Sequence, residues 1–149
     1  MKTIPLSPID HVFTGANSYP IEFVFVFEKY IDSVLLKSSL DETLKHFTPL
    51  RSKLVKISDY SYGFQFCDDG YHFEETKSSD TFEDSNDLSC FVNSVQSIEG
   101  EPLTKIKLTE TPKGSVLGVS ISHALVDGFS YFHFLASWCC YFFYCSKKK

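Results

Sequence analysis

Arginine is almost absent: the 149-residue chain has one, Arg51, beside thirteen lysines. The net charge is −5, so the chain lacks the basic stripe of a nucleic-acid binder, and no nucleic-acid partner is expected. Nor is there a general attraction for phosphate groups, so any such binding has to be local. The five cysteines are odd in number and form no Cys-x-x-Cys pair. That pattern argues against a zinc site and a disulfide framework, and it predicts free thiols in a reducing, cytoplasmic setting. The opening Met1-Lys2-Thr3-Ile4-Pro5-Leu6-Ser7-Pro8 has no apolar run, so it does not read as a secretory leader. The most apolar stretch, 132–145, is short of the roughly twenty residues that a membrane span needs. Membrane insertion therefore ranks below packing against the rest of the protein. No repeat and no Pro/Gly-rich linker divides the chain, which predicts one domain over 1–149.

Aromatic residues are plentiful, with fifteen Phe and eight Tyr, and they suit a β-rich core. Pro5-Leu6-Ser7-Pro8-Ile9-Asp10 is an extended entry, because a residue before proline avoids the helical region. His11 follows as a polar loop residue. Ile21 to Glu28 reads as a strand, apolar at odd and even positions alike from Phe23 to Phe27, which predicts a central strand buried on both faces. Ser33 is placed to cap a helix over 34–47, with Leu36, Leu40, Leu44 and Phe47 forming one stripe before Pro49.

Short strands are predicted at 54–57, 62–67 and 71–75, and Asp68-Asp69-Gly70 reads as a hairpin turn between the last two. A polar loop at 77–87 precedes a short helix at 88–98, carried by Leu88, Phe91, Val92, Val95 and Ile98. Thr104 to Thr109 alternates as a strand with one wet face, and 111–114 turns it into the next strand. The order predicts an α/β fold: a two-layer domain with a mixed β-sheet and helices packed on it.

The chemistry concentrates in His123-Ala124-Leu125-Val126-Asp127-Gly128. The preceding run 115–122 reads as a buried strand, and 129–138 as the helix that follows. Leu117, Val119, Ile121 and His123 share one face by the two-residue period, so His123 continues an apolar row. A histidine at a strand end reaches into a cleft while its backbone stays fixed. An aspartate four residues on, beside a glycine suited to a tight turn, can brace the loop. A lone His-x-x-x-Asp is weak evidence, and a core histidine held by one hydrogen bond is its plain alternative. His46 lies off its helix stripe, His72 faces water in a strand, and His133 has no metal partners; no metal site is expected. Phe129, Phe132, Leu135 and Ala136 are expected to face the core, with an acyl pocket as the alternative use.

In context, Leu117-Gly118-Val119-Ser120-Ile121-Ser122-His123-Ala124-Leu125-Val126-Asp127-Gly128 and the helix to Trp138 closely resemble the active-site strand, loop and helix of BAHD acyltransferases. These belong with chloramphenicol acetyltransferase and the condensation domains of peptide synthetases. The Leu-Ser-Pro-x-Asp opening and the helix ending in Pro49-Leu50 are similar to the same family. The resemblance runs to about 138 and covers the N-terminal half of such an enzyme, while 139–149 departs from the family's continuation. It implies a chloramphenicol-acetyltransferase-like fold and transfer of an acyl group from a CoA-type thioester to a hydroxyl or amine. His123 would be the general base of the HxxxDG motif. Asp127 would turn away from the acceptor and pair with an arginine, and Gly128 would allow the turn.

Leu50-Arg51-Ser52-Lys53-Leu54 resembles the condensation-domain stretch that supplies that arginine, so Arg51 is a candidate, with an ordinary surface residue as the equal alternative. The expected partners are a small-molecule acceptor and acyl-CoA as co-substrate, with no tightly bound cofactor. The family's catalytic histidine faces a channel between two domains, and the second half carries an Asp-Phe-Gly-Trp-Gly motif that does not occur here. Activity would therefore require a homo-oligomer or a complementary second-half chain. The competing function is a catalytically inactive relic or a binding module that retains the fold.

Overall fold

A computed structural model describes residues 2–148. Its centre is strand β7 (Gly114–Ile121), buried at every position. It lies antiparallel between β2 (Ile21–Phe27) and β6 (Thr104–Thr111), and β6 pairs in parallel with β5 (His72–Lys77). The large sheet thus has the order β2-β7-β6-β5. A smaller antiparallel sheet has the order β1-β4-β3, from β1 (Thr3–Pro5), β3 (Ser52–Ser58) and β4 (Ser61–Phe66). Two helices, α1 (Ser33–Leu44) and α2 (Gly128–Ser146), complete an α/β fold with a mixed sheet.

The predicted helix over 34–47 forms as α1, but Asp32 caps it rather than Ser33: its carboxylate accepts from the Leu35 amide at 3.0 Å. Leu36, Leu40 and Leu44 are buried as the stripe predicts, and they meet Tyr131, Phe134 and Trp138 of α2 over Leu117, Val119 and Ile121 of β7. The indole N–H of Trp138 donates to Ser39 Oγ at 3.0 Å, so the buried polar edge is satisfied. A second core lies under the small sheet, built on Leu6, Leu54, Val95, Leu103 and Ala124.

The strand at 21–28 is not central. β2 is an edge strand that pairs only with β7, and Phe23, Val26 and Phe27 stay exposed. Its all-apolar pattern reflects an uncovered surface, not burial on both faces. The hairpin expected at Asp68-Asp69-Gly70 is also absent. β4 pairs with β1 and β3, and after the turn the chain crosses to the other sheet as β5. Gly70 is required for close approach, since a Cβ there would lie 2.6 Å from the Ser52 amide nitrogen and overlap the Arg51 carbonyl group.

Segment 88–98 forms only a 3₁₀ turn, Leu88–Phe91, and then runs extended. Tertiary bonding overrides the helical spacing. The Val95 amide donates to Ser120 Oγ at 3.0 Å, and the Ser97 carbonyl accepts from the Gly15 amide at 2.7 Å. This segment covers the face of β7 opposite the helices. Gly118 makes room for it, and Ser120 and Ser122 bond to it.

Candidate active site

Strand β7 stops at Ile121, and residues 123–125 form a turn before α2. Ser122 organises that turn. Its amide donates to the Leu103 carbonyl at 2.9 Å, its carbonyl accepts from the Leu125 amide at 3.0 Å, and its hydroxyl accepts from the Ala124 amide at 3.2 Å. The same hydroxyl bonds Ser97 Oγ at 2.7 Å. Ala124 packs in the second core, Val126 in the main core, and Leu125 touches both. The loop is therefore held between two cores by these three consecutive apolar residues.

His123 lies just past the strand, so it is presented by the turn and does not extend the apolar row of β7. It is half-buried, and its ring stacks on Phe13 with centroids 4.0 Å apart and planes 12° from parallel. Neither ring nitrogen makes a hydrogen bond among the described residues. A half-open imidazole with both nitrogens free, on a backbone fixed at both ends, can accept a proton from a bound hydroxyl or amine.

Asp127 is exposed and caps α2, its carboxylate accepting from the Ser130 amide at 2.7 Å. The Ser130 hydrogen bonds, with a smaller contribution from His123, hold its pKa below the ordinary carboxylate value. It braces the junction between loop and helix, and it does so through the helix terminus. The Arg51–Asp127 pair does not form. Arg51 instead bonds Asp68 at 3.0 Å, beside a surface hollow of about 670 Å³ that Phe66, Cys67 and Asp69 also line. The partner that Asp127 does have is the Ser130 backbone amide, and the rest of its side chain is exposed.

Gly128 differs from its predicted role too. It is the first residue of α2, it is not among the positive-φ glycines, and a Cβ there would meet nothing within 4 Å. What it does is leave open space at the helix start, beside Asp127. The face of α2 is also rotated from expectation. Tyr131, Phe134 and Trp138 are the buried positions, while Phe129 is 82% and Phe132 49% exposed. Helix α2 runs from Gly128 through the tail to Ser146, and its buried face is the one that packs on Leu36, Leu40 and Leu44 of α1 and on β7. Tyr131 donates its hydroxyl to the Val119 carbonyl at 2.9 Å, and burial raises the phenol pKa far above its ordinary value.

The other histidines behave differently from His123. His46 and His133 are exposed and lie against aromatic rings, His46 on Tyr141 and His133 on Phe129 and Phe47. His72 sits 3.8 Å from Glu74 at the surface. Among the described residues no group of His, Cys, Asp and Glu side chains is arranged to hold a metal ion. Nor is any helix long and apolar enough to cross a membrane. Phe13, Ser97 and Ser122 escaped the sequence reading. Their partners lie 25 or more residues away, and no local spacing signals them.

A family model described as Transferase family matches residues 1–141. Shikimate O-hydroxycinnamoyltransferase of Nicotiana tabacum is 28% identical over 119 residues, which is 73% of this chain but only 27% of that enzyme. The chain therefore spans about a quarter of that relative's length. Among solved structures, the epimerization domain from the third module of tyrocidine synthetase B superposes with a TM-score of 0.77 at 19% identity. It covers 99% of this chain and 36% of that one. TRI101 of F. sporotrichioides, complexed with coenzyme A and T-2, gives a TM-score of 0.65 at 14% identity, over 95% of this chain and 41% of that one. At such identities the two structures establish the fold alone.

Proposed function

The chain belongs to the Transferase family, the BAHD-type acyltransferases, and from that membership we propose that it carries the base-bearing half of an acyl-transfer site. His123 takes the proton from a hydroxyl or amine of a small-molecule acceptor. The freed lone pair attacks the carbonyl carbon of an acyl-CoA thioester, giving a tetrahedral oxyanion. That intermediate collapses with cleavage of the C–S bond, and the departing thiolate takes the proton back from His123. Asp127 keeps the loop in register with α2. The observation that carries the reading is the His123 ring, rigidly presented, half-open and with unbonded nitrogens.

The coenzyme A complex of a structural neighbour supports a CoA-type donor, and the named activity of the tobacco relative supports a hydroxyl acceptor. The donor and oxyanion contacts belong to a surface these residues do not supply, whether a further domain, a complementary second-half chain or a second copy. Exposed Phe23, Phe27, Phe129 and Phe132 on β2 and α2 supply apolar surface for such a partner.

The test is thiol release from acyl-CoA in the presence of a panel of alcohols and amines, with the chain alone, concentrated, and mixed with a second-half chain. Base catalysis is worth about 10²–10⁴-fold and positioning can contribute more. The chain alone is therefore expected to be slow, and assembly to raise the rate. His123→Ala should abolish the gain with assembly intact. Assembly without His123-dependent release would leave a binding module that keeps the fold.

A further inference from the structure

A general base is usually oriented by a hydrogen bond to its second ring nitrogen. His123 has no such partner, and Asp127, the carboxylate of its own loop, is occupied by the Ser130 amide. Something else has to limit rotation of the imidazole about its side-chain bonds. The ring against it is Phe13, on a 3₁₀ turn over Asp10–Phe13, 110 residues away in sequence.

The turn bearing Phe13 is fastened on both sides. Before it, His11 uses both ring nitrogens: Nε2 accepts from the Tyr62 amide of β4 at 3.0 Å, and Nδ1 donates to the Ser7 carbonyl at 2.8 Å. These two partners fix the orientation of the His11 ring. Ser7 Oγ also donates to Asp10 at 2.6 Å. After it, the Gly15 amide donates to the Ser97 carbonyl, and Ser97 Oγ bonds Ser122 Oγ, next to His123 itself. Phe13, Gly15, Ser97, Ser122 and His123 thus form a closed circuit whose last link is the stack.

We propose that Phe13 is a positioning residue for His123: its ring covers one imidazole face, holds the side-chain rotamer and leaves the nitrogen-bearing edge for the acceptor. His11 is the anchor that keeps Phe13 in place. The proposal rests on the acyl-transfer reading for its catalytic consequence, but the stack itself can be tested without activity.

The first measurement is NMR of the histidine rings in the full chain, with His123 assigned by loss of its signals in His123→Ala. Phe13 lies face-on at 4.0 Å, so the carbon-bound ring protons of His123 are expected upfield of those of the other four histidines. Phe13→Leu, which refills the space without a ring, should move them downfield, and Phe13→Tyr should retain the shift. His123 signals unmoved in a folded Phe13→Leu variant overturn the proposal whatever the enzyme does.

The second measurement uses the assembled, thiol-releasing protein. Phe13→Leu should lower kcat about 10–100-fold, the scale of a small misplacement of a reacting group, with KM for the thioester within about threefold. Phe13→Tyr should restore the rate, and His11→Ala should lower kcat in the same direction. An unchanged kcat in Phe13→Leu, or equal loss in Phe13→Leu and Phe13→Tyr, overturns the positioning role alone. The absence of any His123-dependent release overturns it together with the acyl-transfer reading.

Discussion

Gly118→Ala is a one-methyl test of how the catalytic strand is covered. Gly118 sits mid-way along β7, and the Cβ of an alanine there would overlap the Phe91 carbonyl oxygen and lie 2.8 Å from Val92 Cα. The obstructing atoms are backbone, so no side-chain rotamer relieves the clash. Its φ is not positive, so conformational strain at the glycine is not at issue. Either β7 bends within a sheet bonded on both sides, or segment 91–97 lifts.

Lifting weakens the Val95–Ser120 and Ser97–Ser122 bonds together, and with them the anchor of the His123 turn. Overpacking costs about 1–3 kcal/mol, and a backbone clash with two coupled hydrogen bonds belongs at the upper end, about 3 kcal/mol. Urea unfolding read by the single Trp138, which is buried beside Ser39, reports the loss. With a urea slope of about 1–3 kcal/mol per molar, the midpoint should fall by about 1–3 M at unchanged slope. Amide exchange at Val95 should quicken as well. A change within about 0.5 kcal/mol, the range of an ordinary surface substitution, would refute the packing of this segment on β7.

Tyr131→Phe removes the hydroxyl that donates to the Val119 carbonyl, and should cost about 1 kcal/mol near neutral pH. Burial raises the phenol pKa in the folded state, so its contribution is fully present below the unfolded value of about 10 and is lost as pH rises beyond it. The wild type should therefore lose stability above about pH 10, less steeply in Tyr131→Phe, as followed by thermal unfolding against pH. Arg51→Ala should change stability by less than about 1 kcal/mol, because its partner Asp68 is open to solvent. A loss of about 3–5 kcal/mol would instead signal a buried charge pair of the kind the family resemblance implies for Asp127.

Local chemistry was readable in the chain without a structure. The α1 stripe of Leu36, Leu40 and Leu44, the alternation through Thr104–Thr109, a helix after the His123 loop and the placement of His123 between strand and helix all depend on neighbours within a few residues. The fold class and family resemblance came from the same kind of information. What depended on distant partners was not readable. An apolar strand looks alike whether it is central or an uncovered edge, so β2 was placed in the wrong lane of the sheet. Residues 92–98 have helical spacing, yet they lie extended because Ser120 and Gly15 bond their backbone. Arg51 matched a motif, but the crossing to β5 brought Asp68 to it first. Phe13 carries no mark in the sequence at all: only the folding of the N-terminal turn against the end of β7 brings its ring onto His123. Periodicity encodes which way a side chain points, whereas the identity of what it meets is decided by the assembly of sheets, helices and covering segments.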